Sequence, residues 1–250
     1  KLTGMYEMPW VRVHAMTEYV DSPGILERYP GTKITYNLVP SFMEQLLDYH
    51  REETLDVHTD IAKRPWPEGD YPNATERELH VMQFQSFWNS GWIYNVSADS
   101  PNAWVQPSSE MYSYLHDKTL HNLKPATIMD DDLLPPQEFL DLQVLWYLYQ
   151  FSPDYVLGKY DDTHRDDGLI ALFQQNGNYT HNDLMYVLNA QHQHMGNVLP
   201  MYSDLAVTGQ VELTTTPYYH PIMPLLMMPG WQMEDGIRVT KQPWPDDVQN

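Results

Sequence analysis

The sequence predicts an α/β fold in which parallel strands alternate with helices, interrupted by a long helical insertion. Three short segments have the apolar alternation or β-branched composition of strands, at residues 8–15, 33–41 and 211–215. Helical patterns follow the first two segments, and this alternation is typical of a parallel sheet. No convincing strand pattern occurs from about residue 50 to residue 208.

The first predicted strand, at residues 8–15, has apolar side chains at Val11 and Val13 and ends at His14. Polar residues at the carboxyl ends of parallel barrel strands line the functional site. His14 is therefore a candidate binding residue. A histidine whose hydrogen bonds are satisfied inside the core is the alternative interpretation.

The second predicted strand, at residues 33–41, runs directly into a helix. Ser41 and Glu44 have the spacing of a capping box, in which each side chain bonds to the backbone of the other residue. Asn37 lies near the strand end, where it either contacts a ligand or caps the helix. The apolar face of this helix consists of Phe42, Met43, Leu46 and Leu47.

The interval between the second and third strands is too long for a structureless loop, since such loops rarely exceed about 15 residues in compact domains. We predict helices at residues 75–88, 137–150 and 180–206. The middle helix is apolar nearly all round and should be buried. Thr180 should cap the last helix, with Asp183 at its third position.

These elements predict three parts of the chain. Two strand–helix units would occupy residues 1–50, and a mostly helical insertion would occupy residues 51–208. The third strand and its following loop would occupy residues 209–250. The second and third strands would be neighbours in the sheet, with the insertion placed at the strand ends.

The third predicted strand, at residues 211–215, carries Glu212 within a β-branched run. A carboxylate in a strand is costly to bury unless it faces water or hydrogen-bond donors. Glu212 therefore either points to solvent from an edge strand or lies where a strand end opens onto a polar site. The next loop contains Tyr218, Tyr219 and His220, and this polar aromatic cluster favours the second interpretation.

The charge of the chain argues against several partners. Lys and Arg total 14 against 34 Asp and Glu, which gives a formal net charge of −20. A surface this acidic is unsuited to nucleic acid phosphates or anionic membranes, and no apolar run approaches the roughly 20 residues of a membrane span. The charge suits a neutral ligand. A role in solubility or salt adaptation is the alternative.

Residue types that hold metals and cofactors form no recognisable pattern. The chain has no Cys, which excludes disulfides, thiolate metal sites and a Cys nucleophile. His192 and His194 are two apart in a predicted helix and do not share a face. Residues 130–132 are all Asp but lack the spacing of a calcium loop. We predict no metal and no cofactor.

Three segments resemble glycoside hydrolase family 57. They read WVRVHA at 10–15, YPGTKITYNLVPS at 29–41 and GQVELTTTPYYHPIMPLL at 209–226, and they occur in the family's order. The resemblance covers nearly the whole chain. It departs from the family at residues 14–16, where His-Ala-Met replaces the usual His-Gln-Pro, and at residues 227–228, where Met-Met stands near an expected acidic residue.

The resemblance implies the N-terminal part of an incomplete (β/α)7 barrel that acts on α-glucans. Enzymes of this family are hydrolases or transglycosylases that work by retention, with a Glu nucleophile and an Asp acid/base. The expected substrate is therefore an α-glucan or a maltooligosaccharide. The composition leaves the compartment undecided, and our expectation is a cytoplasmic enzyme.

The resemblance also implies roles for particular residues. The family's catalytic Glu and Asp lie in later regions than those matched here, so both are expected beyond Asn250. Together with the start at Lys1, this predicts a fragment that is inactive alone. Substrate binding is expected of His14, Glu212, His220, Asn37, Tyr219 and Trp10.

Two alternatives remain open. The chain would be a catalytically silent carbohydrate-binding protein, or Glu212 would itself be catalytic, paired with a carboxylate such as Asp21 or Glu18. The aromatic residues of the insertion are either sugar-stacking faces or core residues, and core packing is the favoured interpretation. These residues are Trp66, Trp88, Trp92 and Trp104.

Overall fold

The structure, a computed structural model, describes residues 4–51, 54–63, 135–175 and 177–221. In chain order, its helices and strands are α1 (Trp10–Met16), α2 (Glu18–Glu27), β1 (Ile34–Asn37), α3 (Pro40–Arg51), α4 (Val57–Lys63), α5 (Pro136–Leu148), α6 (Pro153–Val156), α7 (Asp167–Gln174), α8 (His181–Val207) and β2 (Val211–Thr214). A 3-10 turn, Asp162–His164, lies between α6 and α7. None of the described helices is long and apolar enough to span a membrane.

The strands β1 and β2 form a parallel pair. Ile34 lies opposite Val211, and the register continues to Asn37 opposite Thr214. The predictions of strands in these two segments, and of their being neighbours, are confirmed. Within the described residues, the sheet consists of this pair alone.

The prediction of a strand at residues 8–15 is wrong, because this segment contains helix α1. Buried Arg12 and Val13 precede buried Met16 by four and three residues, which is the spacing of one helix face. Two alternating valines are too short a pattern to separate strand from helix. The first strand of the described residues is therefore β1, and two helices precede it.

The helix α8 is the centre of the described core. It is 27 residues long and packs against α1, α2, α3, α5 and β2. Thr180 and Asp183 form a reciprocal capping box at its start, which confirms the predicted cap. The helix α5 is buried along most of its length, again as predicted. The predicted helix at residues 75–88 lies outside the described residues.

A glycine turn places β2 directly after α8. Gly209 has a backbone φ of +75°, a left-handed conformation that glycine adopts without a steric penalty. The next side chain, Gln210, donates hydrogen bonds through Nε2 to the carbonyls of Leu26 (2.6 Å) and Tyr29 (3.0 Å). These bonds tie the start of β2 to the end of α2, and so help to hold the strand in register.

A buried ion pair crosses the helical core. Arg12 Nε lies 2.7 Å from Asp56 Oδ2, and the two side chains are 2% and 0% exposed. Arg12 Nη1 also donates to Gln150 Oε1 (2.6 Å) and Gln191 Oε1 (2.8 Å). Burial disfavours the charged form of Asp56, but attraction to Arg12 and the hydrogen bonds it accepts keep the pKa of that carboxyl below its ordinary value.

The carboxylate of Asp56 also organises the start of α4. Its Oδ1 accepts the backbone N–H groups of His58 (3.1 Å) and Thr59 (3.0 Å), which would otherwise lack partners at a helix start. The hydroxyl of Tyr49 in α3 donates to its Oδ2 at 3.3 Å. One carboxylate therefore connects α1, α3 and α4.

A buried histidine lies between α8 and α6. His194 is 4% exposed, and its ring centroid is 4.0 Å from that of Tyr155 and 5.6 Å from that of Phe151. Burial lowers the pKa of His194 to about 3, with His164 adding to the effect and a hydrogen bond to the Ala15 backbone opposing it. The ring is therefore neutral in the folded chain at neutral pH.

Replacing Arg12 with Met should destabilise the fold strongly, because the carboxylate of Asp56 would stay buried without its cation. We expect the free energy of unfolding to fall by about 3–5 kcal/mol, measured by urea denaturation. The control Lys159→Gln removes an exposed ion pair. In that pair the Lys159 side chain is 41% exposed and the Asp154 side chain is 36% exposed. This control should cost at most about 1 kcal/mol, and equal losses in the two variants would contradict a dominant role for the buried pair.

Acid should destabilise the wild type partly through His194. The folded-state pKa lies below that of the unfolded chain, so the unfolded state binds the proton first, and stability falls as pH falls from about 6.5 towards about 3. His194→Phe removes this titration. Between about pH 7.5 and pH 5, the variant should lose less free energy of unfolding than the wild type. Parallel losses in urea titrations would show that His194 does not titrate in this way.

Candidate functional site

A row of polar side chains covers one face of the sheet. Because side chains alternate along a strand, Thr35 and Asn37 of β1 share this face with Glu212 and Thr214 of β2. Thr35 Oγ1 donates to Glu212 Oε2 at 3.0 Å, and Asn37 Nδ2 donates to Thr214 Oγ1 at 3.4 Å. All four residues are exposed, so their remaining hydrogen-bonding capacity faces outward.

The opposite face of the sheet packs against the helices. The Tyr36 ring lies 4.9 Å from the Tyr202 ring of α8, in an edge-to-face arrangement. Val211 is 5% exposed and packs with Leu26 and Leu205. This packing directs Glu212 outward, since shifting the strand by one residue would exchange its two faces.

The loop after β2 returns to the start of α3. Thr215 Oγ1 donates to the carbonyl of Leu38 at 2.9 Å, and the Ser41 N–H donates to the carbonyl of Tyr218 at 3.3 Å. Both contacts lie beyond the carboxyl ends of the two strands. The loop therefore stands at the same end of the sheet as Asn37 and Thr214.

This loop presents two tyrosine rings to solvent. Tyr218 and Tyr219 are 42% and 82% exposed, and their ring centroids are 4.6 Å apart at an interplanar angle of 88°. His220 follows with a backbone φ of +52°, and its N–H donates to the carbonyl of Pro217 at 2.8 Å. A non-glycine residue in this region carries strain that the surrounding contacts must hold.

His14 and Trp10 lie on α1, four residues apart on one helical face, and not at a strand end. His14 Nδ1 is 3.0 Å from Glu18 Oε2. Burial acts to raise the pKa of Glu18, but hydrogen bonds from His14 and Thr17 lower it to about 2. Trp10 is 41% exposed.

Aromatic rings connect His14 to the start of α3. The His14 ring lies 5.5 Å from Tyr19, and Tyr19 lies 4.3 Å from Phe42. Phe42 follows Ser41, which contacts the loop after β2. His14 thus connects to the strand-end region through two aromatic side chains, whereas Asn37 and Glu212 belong to it directly.

The model of glycosyl hydrolase family 57 matches residues 1–249. The chain belongs to glycosyl hydrolase family 57. No curated protein and no solved structure matches it. The resemblance found in the three sequence segments is therefore confirmed, and the family assigns the chain to the glycoside hydrolases and transglycosylases.

Family 57 folds as a (β/α)7 barrel, and the parallel β1–β2 pair is consistent with that fold. Two polar positions of the pair were not singled out from the sequence. Thr35 and Thr214 share the face of Glu212, and period-two alternation around that residue would have identified Thr214. The pairing of Thr35 with Glu212 joins residues 177 positions apart, and a single sequence carries no signal for it.

Within the four described ranges of this family 57 chain, no group of three or more His, Asp or Glu residues could hold a metal ion. The His192 ring lies 5.6 Å from His50, while His194 is buried elsewhere on α8, so the two histidines do diverge. Residues 130–132 and the four tryptophans of the predicted insertion lie outside the described residues.

The two carboxylates considered as partners of Glu212 have other contacts. Tyr160 OH donates to Asp21 Oδ1 at 2.9 Å, and the Ser152 hydroxyl donates to the same oxygen. Glu18 is held by His14 and Thr17. These bonds tie both carboxylates to the helical region.

The left-handed backbone of His220 predicts how the loop responds to substitution. His220→Gly should preserve or slightly raise stability, because glycine adopts a positive φ without strain. His220→Val should destabilise the loop by about 1–2 kcal/mol, because a β-branched residue tolerates this conformation poorly. Amide hydrogen exchange of residues 215–221 would measure both effects. Identical exchange in the two variants would show that the loop does not hold this conformation.

Proposed function

We propose that this chain binds α-glucans at the carboxyl ends of β1 and β2, as part of a retaining glycoside hydrolase or transglycosylase. The observation that supports this most strongly is the polar row of Thr35, Asn37, Glu212 and Thr214 beside the exposed rings of the following loop. Family membership supports a carbohydrate substrate.

The two parts of the site suit the two kinds of surface on a sugar. Sugar hydroxyls need donors and acceptors, and the polar row offers a carboxylate, a carboxamide and two hydroxyls. The C–H face of a sugar ring packs on aromatic rings, and Tyr219 offers one that is 82% exposed. A neutral substrate also fits a chain with a net charge of −20, because it brings no charge for that field to repel.

We assign supporting roles to the other predicted residues. His14 and Trp10 would flank the substrate from α1, on the side of the Tyr19 and Phe42 rings. His220 would orient Tyr219 through its left-handed backbone. The helical insertion at residues 51–208 stays a prediction, and in its described part α8 packs against α1, α2, α3, α5 and β2 as part of the core.

Retention needs two carboxylates about 5 Å apart. The bonding partner of the Glu212 carboxylate is the hydroxyl of Thr35, and Asp21 and Glu18 are held by other side chains. We therefore propose that Glu212 binds and orients substrate, and that the catalytic Glu and Asp lie outside the described residues.

A catalytically silent carbohydrate-binding protein is the second candidate. The same Thr35–Glu212 bond favours it, because a carboxylate engaged by a hydroxyl is suited to binding without further chemistry. The two candidates differ in whether the natural protein turns over its substrate. It cleaves maltooligosaccharides under the first proposal and binds them without turnover under the second.

Glu212→Gln and Tyr219→Ala should each weaken the binding of maltoheptaose by about tenfold or more, measured by calorimetry on residues 1–250, because each removes a direct contact. Matched controls are Glu27→Gln and Tyr29→Ala, both exposed and both before β1, at the opposite end of the strand. The controls should bind as the wild type does. Equal effects in all four variants, or none in any, would overturn the proposed site.

A further inference from the structure

A cleft separate from the strand-end region lies among the helices. It has a volume of about 260 Å³ and is bounded by α6, the 3-10 turn and α8. This is just below the range of drug-sized pockets, so it fits a ligand of few atoms. Its polar lining includes Tyr155, His164, Gln193, His194 and Asn197.

His194 gives this cleft a hydrogen-bond acceptor. Its ring bonds to the backbone of Ala15, while Nε2 is buried and has no hydrogen-bond partner among the described residues. A backbone carbonyl takes the ring N–H at one nitrogen, so the other nitrogen carries the lone pair. A neutral imidazole in this tautomer can only accept at Nε2, and its partner must bring an O–H or an N–H.

His164 supplies a second nitrogen on the wall of the same cleft. Its ring stacks on Tyr155 with centroids 4.4 Å apart and planes 15° apart. Within the part of the chain that the structure describes, its Nδ1 is also buried without a hydrogen-bond partner. The residue is half-buried on the short 3-10 turn. His194 lies against the same tyrosine, so both histidine rings contact the Tyr155 ring.

The charged groups at the rim are already paired. Arg165 contacts Asp167 through Nε and Nη2, each at 2.8 Å. Asp166 Oδ1 accepts from Tyr186 OH (2.7 Å) and from the Leu169 N–H (2.9 Å). A charged ligand would find its counter-charges engaged, whereas a neutral ligand would not disturb them.

We propose that this cleft binds a small neutral polyhydroxylated molecule, the size of a monosaccharide, through hydroxyl groups donated to His194 and His164. Tyr155 supplies the ring between the two histidines, and Asn197 fixes its hydroxyl through a 2.8 Å hydrogen bond. The site is distinct from the strand-end site and does not depend on it, since it is built on α6, α8 and the turn between α6 and α7.

The test is a titration of residues 1–250 with D-glucose, followed through the ring nitrogen resonances of histidine by NMR. A dissociation constant on the order of 1 mM is expected for so small a ligand. The resonances of His194 Nε2 and His164 Nδ1 should shift with glucose. His164→Phe keeps a stacked ring at a half-buried position but removes the two ring nitrogens of His164. In this variant the glucose-dependent shift of the His194 Nε2 resonance should be smaller by about tenfold or more.

Several outcomes separate this site from the strand-end site. Glu212→Gln should leave the His194 shift unchanged, which distinguishes failure here from failure of the proposed α-glucan site. Absence of any glucose-dependent shift at His194 and His164 in the wild type would overturn the proposal. Shifts caused by Zn²⁺ and not by glucose would also overturn it, because neutral imidazole nitrogens are metal ligands as well.

Discussion

The ion pair between Arg12 and Asp56 is the interaction on which the described core depends. Removing both charges from water is costly, and the cost is offset only when the geometry is good and the remaining hydrogen bonds are made. Here those bonds come from Gln150 after α5, Gln191 of α8 and Tyr49 of α3. The pair is satisfied only when these segments meet in one arrangement. Because α3 follows β1 directly, the same arrangement positions the strand that carries Asn37.

The sheet connects this core to the candidate site. Tyr36 and Val211 pack on the helices, and alternation along the strands then requires Thr35 and Glu212 to face outward. A slip of one residue would bury the carboxylate of Glu212 and expose Val211, so the apolar packing selects the register that presents the polar row. Two residues just before β2 also stabilise this register. Gly209 forms the turn between α8 and β2, and Gln210 donates a hydrogen bond to the end of α2.

The strands and the last helix were predictable because their signals are local. The β-branched runs at 33–41 and 211–215 and the Thr180–Asp183 cap each act within a few residues. The segment of α1 was predicted as a strand because Val11 and Val13 alternate. Its helical period becomes visible only when Arg12 is counted as a buried residue. The burial of Arg12 is possible because Asp56, which is distant in sequence, pairs with it. The candidate site divides in the same way. Glu212 and the loop tyrosines were recognisable from their neighbours, whereas the hydroxyl of Thr35 and the rings of Tyr19 and Phe42 depend on tertiary contacts.

The pairing of β1 with β2 has a consequence for how the chain acquires its structure. Thr35 and Glu212 are 177 residues apart in sequence, so the two strands meet only after a very long segment has been brought together. The entropy of closing such a loop must be offset before the strand bonds form, which places the pairing late and favours helices as the first structure. At about 5–20 residues per second, a ribosome needs roughly 10–35 s to deliver β2 after β1. Throughout that interval β1 waits with its backbone groups unpaired by β2, which is the condition under which strands associate with other chains.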